Sequence, residues 1–394
     1  MLTANLCCGQ DTAAGSEKNG HWAGTWGAAP QLTENQNMPP RPGLASNTLR
    51  QVVHVSIGGK QLRVRFSNAF GNGPVTMSSV QMALSAGGSA IKPETSKSLT
   101  FHGEPAVTIL PGELTMSEPV DFDLAPLTDI AVTIHFTAAP GGLTGHPGSR
   151  RTSYLQAGDS VSATNLPSAA TTAHWYILSG IDVLSEKPGT AVITLGDSIT
   201  DGRGSTTDGD NRWPDDLARR LQKNKGTMGI GVLNEGIGGN CVLHGGLGPT
   251  ALARLDRDVL AQNGARWVIV LEGVNDIGGS RGTNTTVAQD LIAAYQKIIT
   301  QAHDRGLRVY GATILPFEPS FYFTPEHEAA RQTVNQWIRS SGKFDAVIDF
   351  DAATRDPQKP SRLLPSADSG DHLHPSVAGY QMMADAIDLA LFAP

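Results

Sequence analysis

Cysteine is scarce in this chain of 394 residues, which contains only Cys7, Cys8 and Cys241. Three cysteines are too few for a disulfide framework. Long apolar runs are also missing, and no stretch approaches the roughly 20 apolar residues that a membrane-spanning helix requires. Neither half of the chain contains internal repeats. These absences exclude a disulfide scaffold, a membrane-spanning protein and a repeat architecture.

Blocks of basic residues are absent as well. The formal net charge is −7, and no segment concentrates lysine and arginine. This argues against nucleic acid or an anionic membrane as a partner. With 39% hydrophobic and 17% charged residues, the composition is that of a globular protein, and 394 residues exceed what a single core usually spans. We therefore expect two domains and a small or neutral substrate.

The amino terminus lacks both a positively charged segment and a long apolar segment, so no intact secretory signal is visible. Two interpretations stay open. The first residues are the remainder of a processed signal or a lipoprotein start, or they form a disordered leader. We predict a disordered leader over residues 1–20.

The period of the hydrophobic pattern is two in the first half of the chain. Apolar residues alternate with polar ones over 53–57, 62–66 and 130–136, and more weakly around 107–109. Gly58-Gly59 between the first two segments predicts a hairpin. Pro-Gly turns separate further segments. The pattern predicts an all-β sandwich domain over residues 21–186.

The pattern switches to strand–helix alternation in the second half, which predicts a doubly wound parallel sheet. Charge, proline and glycine meet near residue 187, so we place the second domain at 187–394. The predicted strands are the apolar runs 191–195, 230–233, 267–271, 309–312 and 346–348. The predicted helices are 213–221, 250–260, 287–302, 326–340 and 376–391.

A candidate nucleophile follows the first of these strands. Gly-Asp-Ser places the Ser198 hydroxyl at the carboxyl end of the strand, where α/β sheets usually carry their chemistry. The alternative is an ordinary turn, in which Asp197 and Ser198 satisfy backbone donors and Gly196 supplies permissive dihedral angles. Polar segments at two further strand ends favour the catalytic interpretation.

Those two segments provide hydrogen-bond donors. One follows the apolar run 230–233 and contains Gly239, and the other follows the strand candidate 267–271 and contains Asn275. A glycine lets the backbone approach a ligand and present its N–H, and a carboxamide can donate from the neighbouring strand. With the N–H of Ser198 they form three donors for the oxyanion of an acyl-transfer intermediate.

Four blocks resemble, in order, those of the SGNH hydrolases, the GDSL esterase/lipase superfamily: GDSIT with Ser198, NEGIGGN with Gly239, GVND with Asn275, and DHLH with Asp371 and His374. The resemblance implies that Ser198 attacks the acyl carbon, that His374 acts as base and then as acid, and that Asp371 orients the imidazole. It also implies an oxyanion hole formed by Ser198, Gly239 and Asn275.

His372 and Asp368 are the competitors for these roles. In the family the aspartate and the histidine lie three residues apart, which selects Asp371 with His374. A metal site built from His372, His374 and an aspartate is the alternative, but it needs a third well-placed group and an open position. We therefore expect no metal, and acyl-enzyme chemistry needs no cofactor.

The first half extends the resemblance to a subset of secreted bacterial SGNH esterases, the XynE-like acetyl xylan esterases with a front β-sandwich. The segments 22–26, 62–68 and 196–201 carry this narrower likeness. It implies a three-layer, flavodoxin-like α/β sheet preceded by a jelly-roll-like all-β sandwich domain. It also implies a secreted or periplasmic location.

The expected function is hydrolysis of short-chain carboxylic esters, with acetyl groups on a polysaccharide such as xylan implied by the resemblance. The expected partner is a small ester or an acetylated carbohydrate, and the oligomeric state stays open. Two alternatives also stay open: a general arylesterase or lipase on aryl or lipid esters, and a catalytically inactive carbohydrate-binding protein. The lack of a long amphipathic lid-like segment disfavours long-chain lipids.

Other residues have competing interpretations. Aromatic residues of the first half are either a sugar-stacking platform or core packing, namely Trp22, Trp26, Trp175 and Tyr176. The aromatic loop 316–323 is either an acyl-pocket wall or a loop packed on the sandwich. We also expect Asp201 and Arg203 to brace the nucleophile turn and Asp276 to cap the segment that follows it. The other histidines are interpreted as surface or internally hydrogen-bonded residues, and His244 is the one among them that could reach the pocket.

Overall fold

The computed structural model describes residues 21–185, 189–281 and 284–393. The predicted leader 1–20, with Cys7 and Cys8, and the predicted boundary at residue 187 lie outside the described residues. Cys241 is a buried free thiol. Within the described ranges, no helix has both the length and the apolar character needed to cross a membrane.

Antiparallel β-structure makes up the first half, which confirms the predicted β-rich region. Its strands are β1 (His21–Gly27), β2 (Gln31–Leu32), β3 (Asn47–Val55), β4 (Gly59–Ser67), β5 (Val75–Gly87), β6 (Ala90–Ile91), β7 (Lys97–Ser98), β8 (Val107–Ile109), β9 (Leu114–Met116), β10 (Val120–Leu124), β11 (Thr128–Ala138), β12 (Thr144–His146), β13 (Ser153–Ala157), β14 (Ala170–Thr172), β15 (Trp175–Tyr176) and β16 (Leu178–Ser185). Short 3₁₀ turns lie at Asn35–Asn37 and Pro93–Thr95.

These strands form three sheets. The first has the order β1-β16-β4-β10, with β9 on β4, and the second has the order β14-β13-β3-β11-β5-β6, with β7 and β8 on β5. The third is the small sheet β15-β12-β2. Alternate residues of the long strands, such as Val53, Val64 and Ile134, are fully buried in one shared apolar cluster. The alternation in the sequence is therefore the alternation of buried and outward-facing positions.

The predicted hairpin at Gly58-Gly59 is wrong. Strand β3 pairs with β11 and β13, whereas β4 pairs with β16, β10 and β9, so the chain changes sheets between them. The corner is held by Thr25, whose Oγ1 donates to the Ile57 carbonyl at 2.6 Å and whose own carbonyl accepts from Ser56 Oγ at 2.7 Å. A Cβ at Gly58 would lie 2.1 Å from the Leu124 carbonyl oxygen, so glycine is required by a close approach. Both strands bury residues in the same cluster, and a period of two does not distinguish a paired strand from a facing one.

The second half contains the predicted parallel sheet. Its elements are β17 (Thr190–Gly196), α1 (Ser198–Asp201), α2 (Trp213–Lys223), β18 (Ile230–Gly236), α3 (Ala251–Leu255) continued by a π-helical turn (Asp256–Leu260), β19 (Ala265–Leu271), α4 (Val274–Gly278), α5 (Asn284–Asp304), β20 (Arg308–Ala312), α6 (Pro325–Ser340), β21 (Ala346–Ile348), α7 (Phe350–Thr354), β22 (Arg355–Asp356), β23 (Lys359–Leu363), α8 (Val377–Asp385) and a 3₁₀ turn (Leu389–Phe392). The strand order is β18-β17-β19-β20-β21, and each pair is parallel.

The order reverses on either side of β17, because the chain moves outward to β18 and then returns to β19. In open parallel sheets this reversal leaves a crevice at the carboxyl ends of the strands. Ser198, Gly239 and Asn275 follow β17, β18 and β19 directly, so the topology brings the three predicted strand-end segments to one edge of the sheet.

The last predicted helix is shorter than expected. The pattern predicts a helix over 376–391, but α8 ends at Asp385. Arg220 from α2 donates to the carbonyl of Ile387 at 2.9 Å, and the Asp388 side chain accepts from the Ala390 N–H at 2.9 Å and so starts the 3₁₀ turn. A side chain from another helix thus satisfies a carbonyl just beyond the end of α8, and an aspartate cap begins a new turn.

The two halves meet along β1 and β18. The Gly24 N–H donates to the Asn263 carbonyl, the Val232 N–H donates to Ser56 Oγ, and both distances are 2.9 Å. A Cβ at Gly24 would approach Leu233 Cδ1 to 2.6 Å, so small residues allow this contact. Because of this contact, the segment after β1 lies at the same edge of the parallel sheet as Ser198.

Core packing is the correct interpretation of three of the aromatic residues. Trp26, Trp175 and Tyr176 are buried, and the Trp26 and Trp175 rings meet edge-on with centroids 4.8 Å apart. Trp22 is half-buried, and the Arg63 guanidinium lies over its ring at 4.3 Å. A sugar-stacking platform made of all four residues is therefore excluded, because three of them are buried in the core.

Candidate active site

Ser198 is the first residue of α1, directly after the edge of β17. The helix begins there because the Asp197 carboxylate accepts the Ile199 N–H at 2.9 Å as an N-terminal cap. This cap fixes the sharp change from strand to helix. The Ser198 hydroxyl lies 2.8 Å from Nε2 of His374, at the floor of a cavity.

His374 is joined in turn to Asp371. Its Nδ1 lies 2.7 Å from Asp371 Oδ2, and the other oxygen of Asp371 accepts the N–H groups of Leu373 at 3.1 Å and His374 at 2.9 Å. The three-residue spacing thus closes a local loop in which the carboxylate holds both the backbone and the ring of His374. Ser198, His374 and Asp371 form one continuous chain of hydrogen bonds.

The competing pair lies apart from this chain. His372 has a φ of +62°, which turns its side chain away, and its Nδ1 lies 2.5 Å from Asp368 Oδ2. Its side chain is 47% exposed. The spacing therefore selects the correct histidine for contact with Ser198.

The ionisation states of His374 and Asp371 suit proton transfer. Burial lowers the pKa of His374 below its ordinary value, and this outweighs the opposing effect of the hydrogen bond that its ring donates to Asp371. The positive charges of Arg203 and Arg150 lower the pKa further. Burial by itself raises the pKa of Asp371, but hydrogen bonds from the backbone and ring of His374 bring it down to about 2. Near neutral pH the imidazole is therefore uncharged and the carboxylate is ionised.

This electrostatic arrangement predicts a measurable shift in the pH profile. Replacing Arg203 by Gln removes a positive charge that disfavours the imidazolium, so the pKa of His374 rises and the acid limb of kcat/KM moves to higher pH. The Arg203 side chain is 64% exposed, so 1 M salt should shrink the shift. The exposed Arg305, which pairs with Asp256, provides the control variant Arg305→Gln. An acid limb that stays in place in Arg203→Gln would contradict this account.

Gly239 and Asn275 lie on the wall of the same cavity as Ser198. Gly239 has a φ of +72°, a conformation that favours glycine. Within the described residues, the backbone N–H groups of Ser198 and Gly239 donate to no protein acceptor. Nδ2 of Asn275 donates one hydrogen to the Asn240 carbonyl at 2.8 Å, which leaves its second hydrogen for a ligand. The site thus presents three donors beside the Ser198 hydroxyl.

Tyr322 is a contact that the sequence did not specify. Its hydroxyl donates to Oδ1 of Asn275 at 3.0 Å, which fixes the carboxamide with Nδ2 as the donating end. The loop 316–323 therefore contributes to the cavity wall, with Phe321 and Tyr322 both lining it. Of its two interpretations, the wall of the pocket is correct. The aromatic density of this loop was the only signal in the sequence.

Arg254 is a second unpredicted residue, and its side chain is fully buried. It donates from Nη2 to the Gly196 carbonyl at 3.0 Å, from Nη1 to the Glu235 carbonyl at 2.6 Å, and from Nε to Asn240 Oδ1 at 3.0 Å. One guanidinium thus ties the ends of β17 and β18 to the loop after Gly239. The signal available in the sequence was an arginine, Arg254, between the apolar residues Leu252 and Leu255 of the predicted helix 250–260.

Asp276 does not cap the segment that follows it, so that prediction is wrong. Its carboxylate accepts the N–H groups of Val242 and Leu243, both at 2.9 Å. The Asp276 carboxylate therefore binds the loop that follows Gly239 to α4. Asp201 braces the nucleophile turn as predicted, since it accepts from Nε2 of His146 at 3.0 Å.

The cavity around Ser198 has a volume of about 380 Å³, and both halves of the chain line it. Side chains from the first half include Gln31, Glu34 and Asn37 after β1. A neighbouring cavity of about 530 Å³ shares Gly239 and is lined by His244, which does not line the Ser198 cavity.

The metal interpretation of His372 and His374 finds no support in the part of the chain that the structure describes. There, the residues close enough to hold an ion together are His54, Asp129 and Asp210. Arg151 donates to both of these carboxylates, at 2.7 Å to Asp129, so its guanidinium already neutralises part of their charge.

Comparison with known proteins identifies the protein family to which the second half of the chain is related. Residues 194–382 match the GDSL-like Lipase/Acylhydrolase family, and this range contains all five candidate residues. The chain therefore carries a GDSL-like lipase/acylhydrolase domain, the domain of a class of carboxylic ester hydrolases. The predicted resemblance to SGNH hydrolases is confirmed.

Individual similar proteins each match about half of this chain. The chain is 26% identical over 210 residues to an acetylxylan esterase of Geobacillus stearothermophilus, which covers 50% of this chain and 92% of that protein. Among solved structures, the acetylxylan esterase Axe2 of the same organism is 24% identical, with a TM-score of 0.38 and coverage of 50% of this chain and 92% of that one. An aryl esterase of M. smegmatis is 18% identical, with a TM-score of 0.39 and coverage of 50% and 95%.

Proposed function

We propose that this protein is a serine esterase that hydrolyses short-chain carboxylic esters through an acyl-enzyme. One observation carries the proposal: Ser198, His374 and Asp371 are joined by contacts of 2.8 and 2.7 Å at a cavity that also presents unpaired N–H donors. This combination supplies a nucleophile, a base, a group that orients the base and a place for an oxyanion. It favours an enzyme over an inactive carbohydrate-binding protein.

In the proposed mechanism, Ser198 Oγ attacks the acyl carbon while its proton passes to Nε2 of His374. The carbonyl oxygen becomes an oxyanion that accepts from the N–H groups of Ser198 and Gly239 and from Nδ2 of Asn275. The intermediate then collapses, and His374 gives its proton to the departing alcohol oxygen. His374 next takes a proton from water, whose oxygen attacks the acyl carbon, and the proton finally returns to Ser198 as the carboxylic acid leaves.

A short acyl group and a polar alcohol portion suit the cavity. Its volume is about 380 Å³, and polar side chains from the first half form part of its wall. The acetylxylan esterase relative supports acetyl groups on a polysaccharide such as xylan as the substrate. A general arylesterase or lipase is the second candidate, and the exposed Phe321 at the cavity is the observation that favours it.

The finer architecture and location stay predictions. These are the three-layer arrangement of the hydrolase half, the jelly-roll-like sandwich of the first half over 21–186, and a secreted or periplasmic location. The proposed reaction depends on none of them.

Hydrolysis of p-nitrophenyl esters from acetate to palmitate tests the proposal, together with acetate release from acetylated xylan. We expect turnover to be highest for acetate, to fall as the chain lengthens, and to disappear in Ser198→Ala. Ser340→Ala, an exposed serine at the end of α6, is the matched control. A longer-chain optimum without release from xylan would favour the arylesterase or lipase. Absence of turnover on any ester by the folded protein would refute the esterase.

A further inference from the structure

The cavity around Ser198 has carboxylates on its wall, and each one already has partners within the protein. Glu34 accepts from Gln31 at 2.8 Å and from Asn37 at 2.9 Å, Asp201 from His146 at 3.0 Å, and Asp371 from His374 at 2.7 Å. Each carboxylate therefore has at least one hydrogen bond before any substrate enters, although the second oxygen of Asp201, Oδ2, is buried without a partner.

Two guanidinium groups on the same wall are not matched in this way. Neither Arg150 nor Arg203 donates a side-chain hydrogen bond to any described residue. The Nε of Arg150 is buried without an acceptor. The nearest carboxylate oxygen to Arg203 is Oδ2 of Asp371, at 3.9 Å, which exceeds hydrogen-bond distance. A buried donor without an acceptor is unfavourable unless a ligand or water satisfies it.

The backbone at Arg150 directs this side chain to the cavity. Arg150 has a φ of +53°, a conformation that residues other than glycine rarely adopt. Its carbonyl accepts the Asp208 N–H at 2.9 Å, which holds the turn in place. The next residue, Arg151, is paired with Asp129 and Asp210 instead. Two adjacent arginines are thus separated by the turn, one into an ion-pair cluster and one into the cavity.

Arg203 lies on the His374 side of the cavity, since its Nε is 3.9 Å from Oδ2 of Asp371, the carboxylate bound to His374. Arg150 lines the same cavity, and the positive charges of both arginines lower the pKa of His374. In acyl transfer the histidine delivers its proton to the departing alcohol oxygen. The alcohol portion of the ester therefore lies on this side, and the oxyanion donors Gly239 and Asn275 face the acyl portion. A negative group on the alcohol would come near Arg150 and Arg203.

We propose that Arg150 and Arg203 form a carboxylate-binding subsite, so that the natural substrate is an ester whose alcohol portion carries a carboxylate, such as an acylated sugar acid. Guanidinium groups suit this ligand because their planar N–H groups match the two oxygens of a carboxylate. The subsite rests on the proposed esterase function, and it narrows the substrate class of the same cavity. Binding of the carboxylate would satisfy the buried donor of Arg150.

Three para-substituted phenyl acetates that differ in the charge of the substituent test the subsite. They are 4-acetoxybenzoate, its neutral methyl ester and the cationic 4-acetoxy-N,N,N-trimethylanilinium, with kcat/KM of each divided by its rate constant for hydrolysis by hydroxide. We expect the wild type to prefer the anion over the neutral ester by roughly 10-fold, as for one hydrogen bond to a charged group, and to disfavour the cation. Arg203→Gln and Arg150→Gln should remove most of this preference, and Arg203→Lys should keep part of it.

Arg305→Gln is the control for a change of net charge, because this exposed arginine pairs with Asp256 away from the cavity. Circular dichroism shows whether the Arg150→Gln variant is folded. If it is not, the test rests on Arg203→Gln, which changes an exposed side chain and should not affect folding. An equal charge preference in the wild type and both glutamine variants would overturn the subsite. If the wild type hydrolyses the neutral ester and Ser198→Ala does not, the esterase function is supported even when the carboxylate-binding subsite is refuted.

Calorimetry on Ser198→Ala provides a readout that does not depend on turnover. Benzoate is expected to bind at least roughly 5-fold more tightly than benzamide, and the difference should vanish when Arg203→Gln is added. Equal binding of the two ligands would overturn the subsite. If no ester is hydrolysed by the wild type, the esterase is wrong, and this binding comparison alone decides whether the cavity recognises a carboxylate.

Discussion

Replacing Ser198 by Ala is expected to lower kcat on a p-nitrophenyl ester by about 10⁴-fold or more. The substitution removes the hydroxyl oxygen that lies 2.8 Å from His374 Nε2 at the cavity, so the covalent step is lost. Because the side chain shrinks by one hydroxyl, the free energy of unfolding should change by only about 1 kcal/mol. Steady-state kinetics and thermal unfolding of the same preparation measure both quantities.

His374→Ala should cause a loss of the same size, and the double variant with Ser198→Ala should lose little more, because the two groups act as a unit. His372→Ala is the matched control. It removes a histidine only two positions away, whose ring is bound to Asp368 rather than to the candidate site. Equal losses in His372→Ala and His374→Ala would contradict the assignment, as would full activity of Ser198→Ala.

Replacing Asn275 by Ala is expected to lower kcat by about 10² to 10³-fold, with a smaller change in KM. The free hydrogen of Nδ2 is the donor that would strengthen as the carbonyl oxygen becomes charged, so its loss is felt mainly in the transition state. The variant also leaves the Asn240 carbonyl and the Tyr322 hydroxyl without their partner, so some loss of stability is expected. Kinetics must therefore be measured well below the unfolding temperature.

Asn335→Ala separates the two effects. Asn335 is equally an internal carboxamide, which accepts the Ile314 N–H and donates to the Ile314 carbonyl, both at 2.8 Å and away from the cavity. It should lower stability without a comparable loss of kcat. Tyr322→Phe should reduce kcat in the wild type but not in the Asn275→Ala background, since Tyr322 acts through that carboxamide. Additive losses in this double-mutant cycle would show that Tyr322 acts independently.

Local patterns in the sequence predicted the elements that depend on local interactions. Apolar runs predicted every strand of the parallel sheet, because strands that are covered on both faces must be apolar throughout. The helix that follows residue 212 agrees with the prediction to within a few residues, and its predicted amphipathic face packs on the sheet. The predicted end of the last helix is wrong because a side chain distant in sequence, Arg220, binds the carbonyl of Ile387 just beyond α8.

The hairpin error has a related cause. Apolar and polar residues alternate on both sides of Gly58 because each strand has one buried face. This alternation does not specify which strand is the hydrogen-bonding neighbour. The pairing is decided by contacts with β11 and β16, which lie about 70 to 120 residues further along the chain. Similarly, Asp276 binds the loop after Gly239 because the fold brings the two segments together.

The sequence by itself determined the class of this protein and its β-rich and α/β halves. It also specified five candidate active-site residues, Ser198, Gly239, Asn275, Asp371 and His374. These follow from short motifs and from the period of the hydrophobic pattern, which are local properties of the chain. Only the tertiary structure decided how those residues are held and what else faces them. The Arg254 guanidinium between strand ends and the Tyr322 hydroxyl on Asn275 join segments that are far apart in sequence. The fold also places Arg150 and Arg203 at one cavity. Such contacts depend on packing of the whole chain, so no local pattern specifies them.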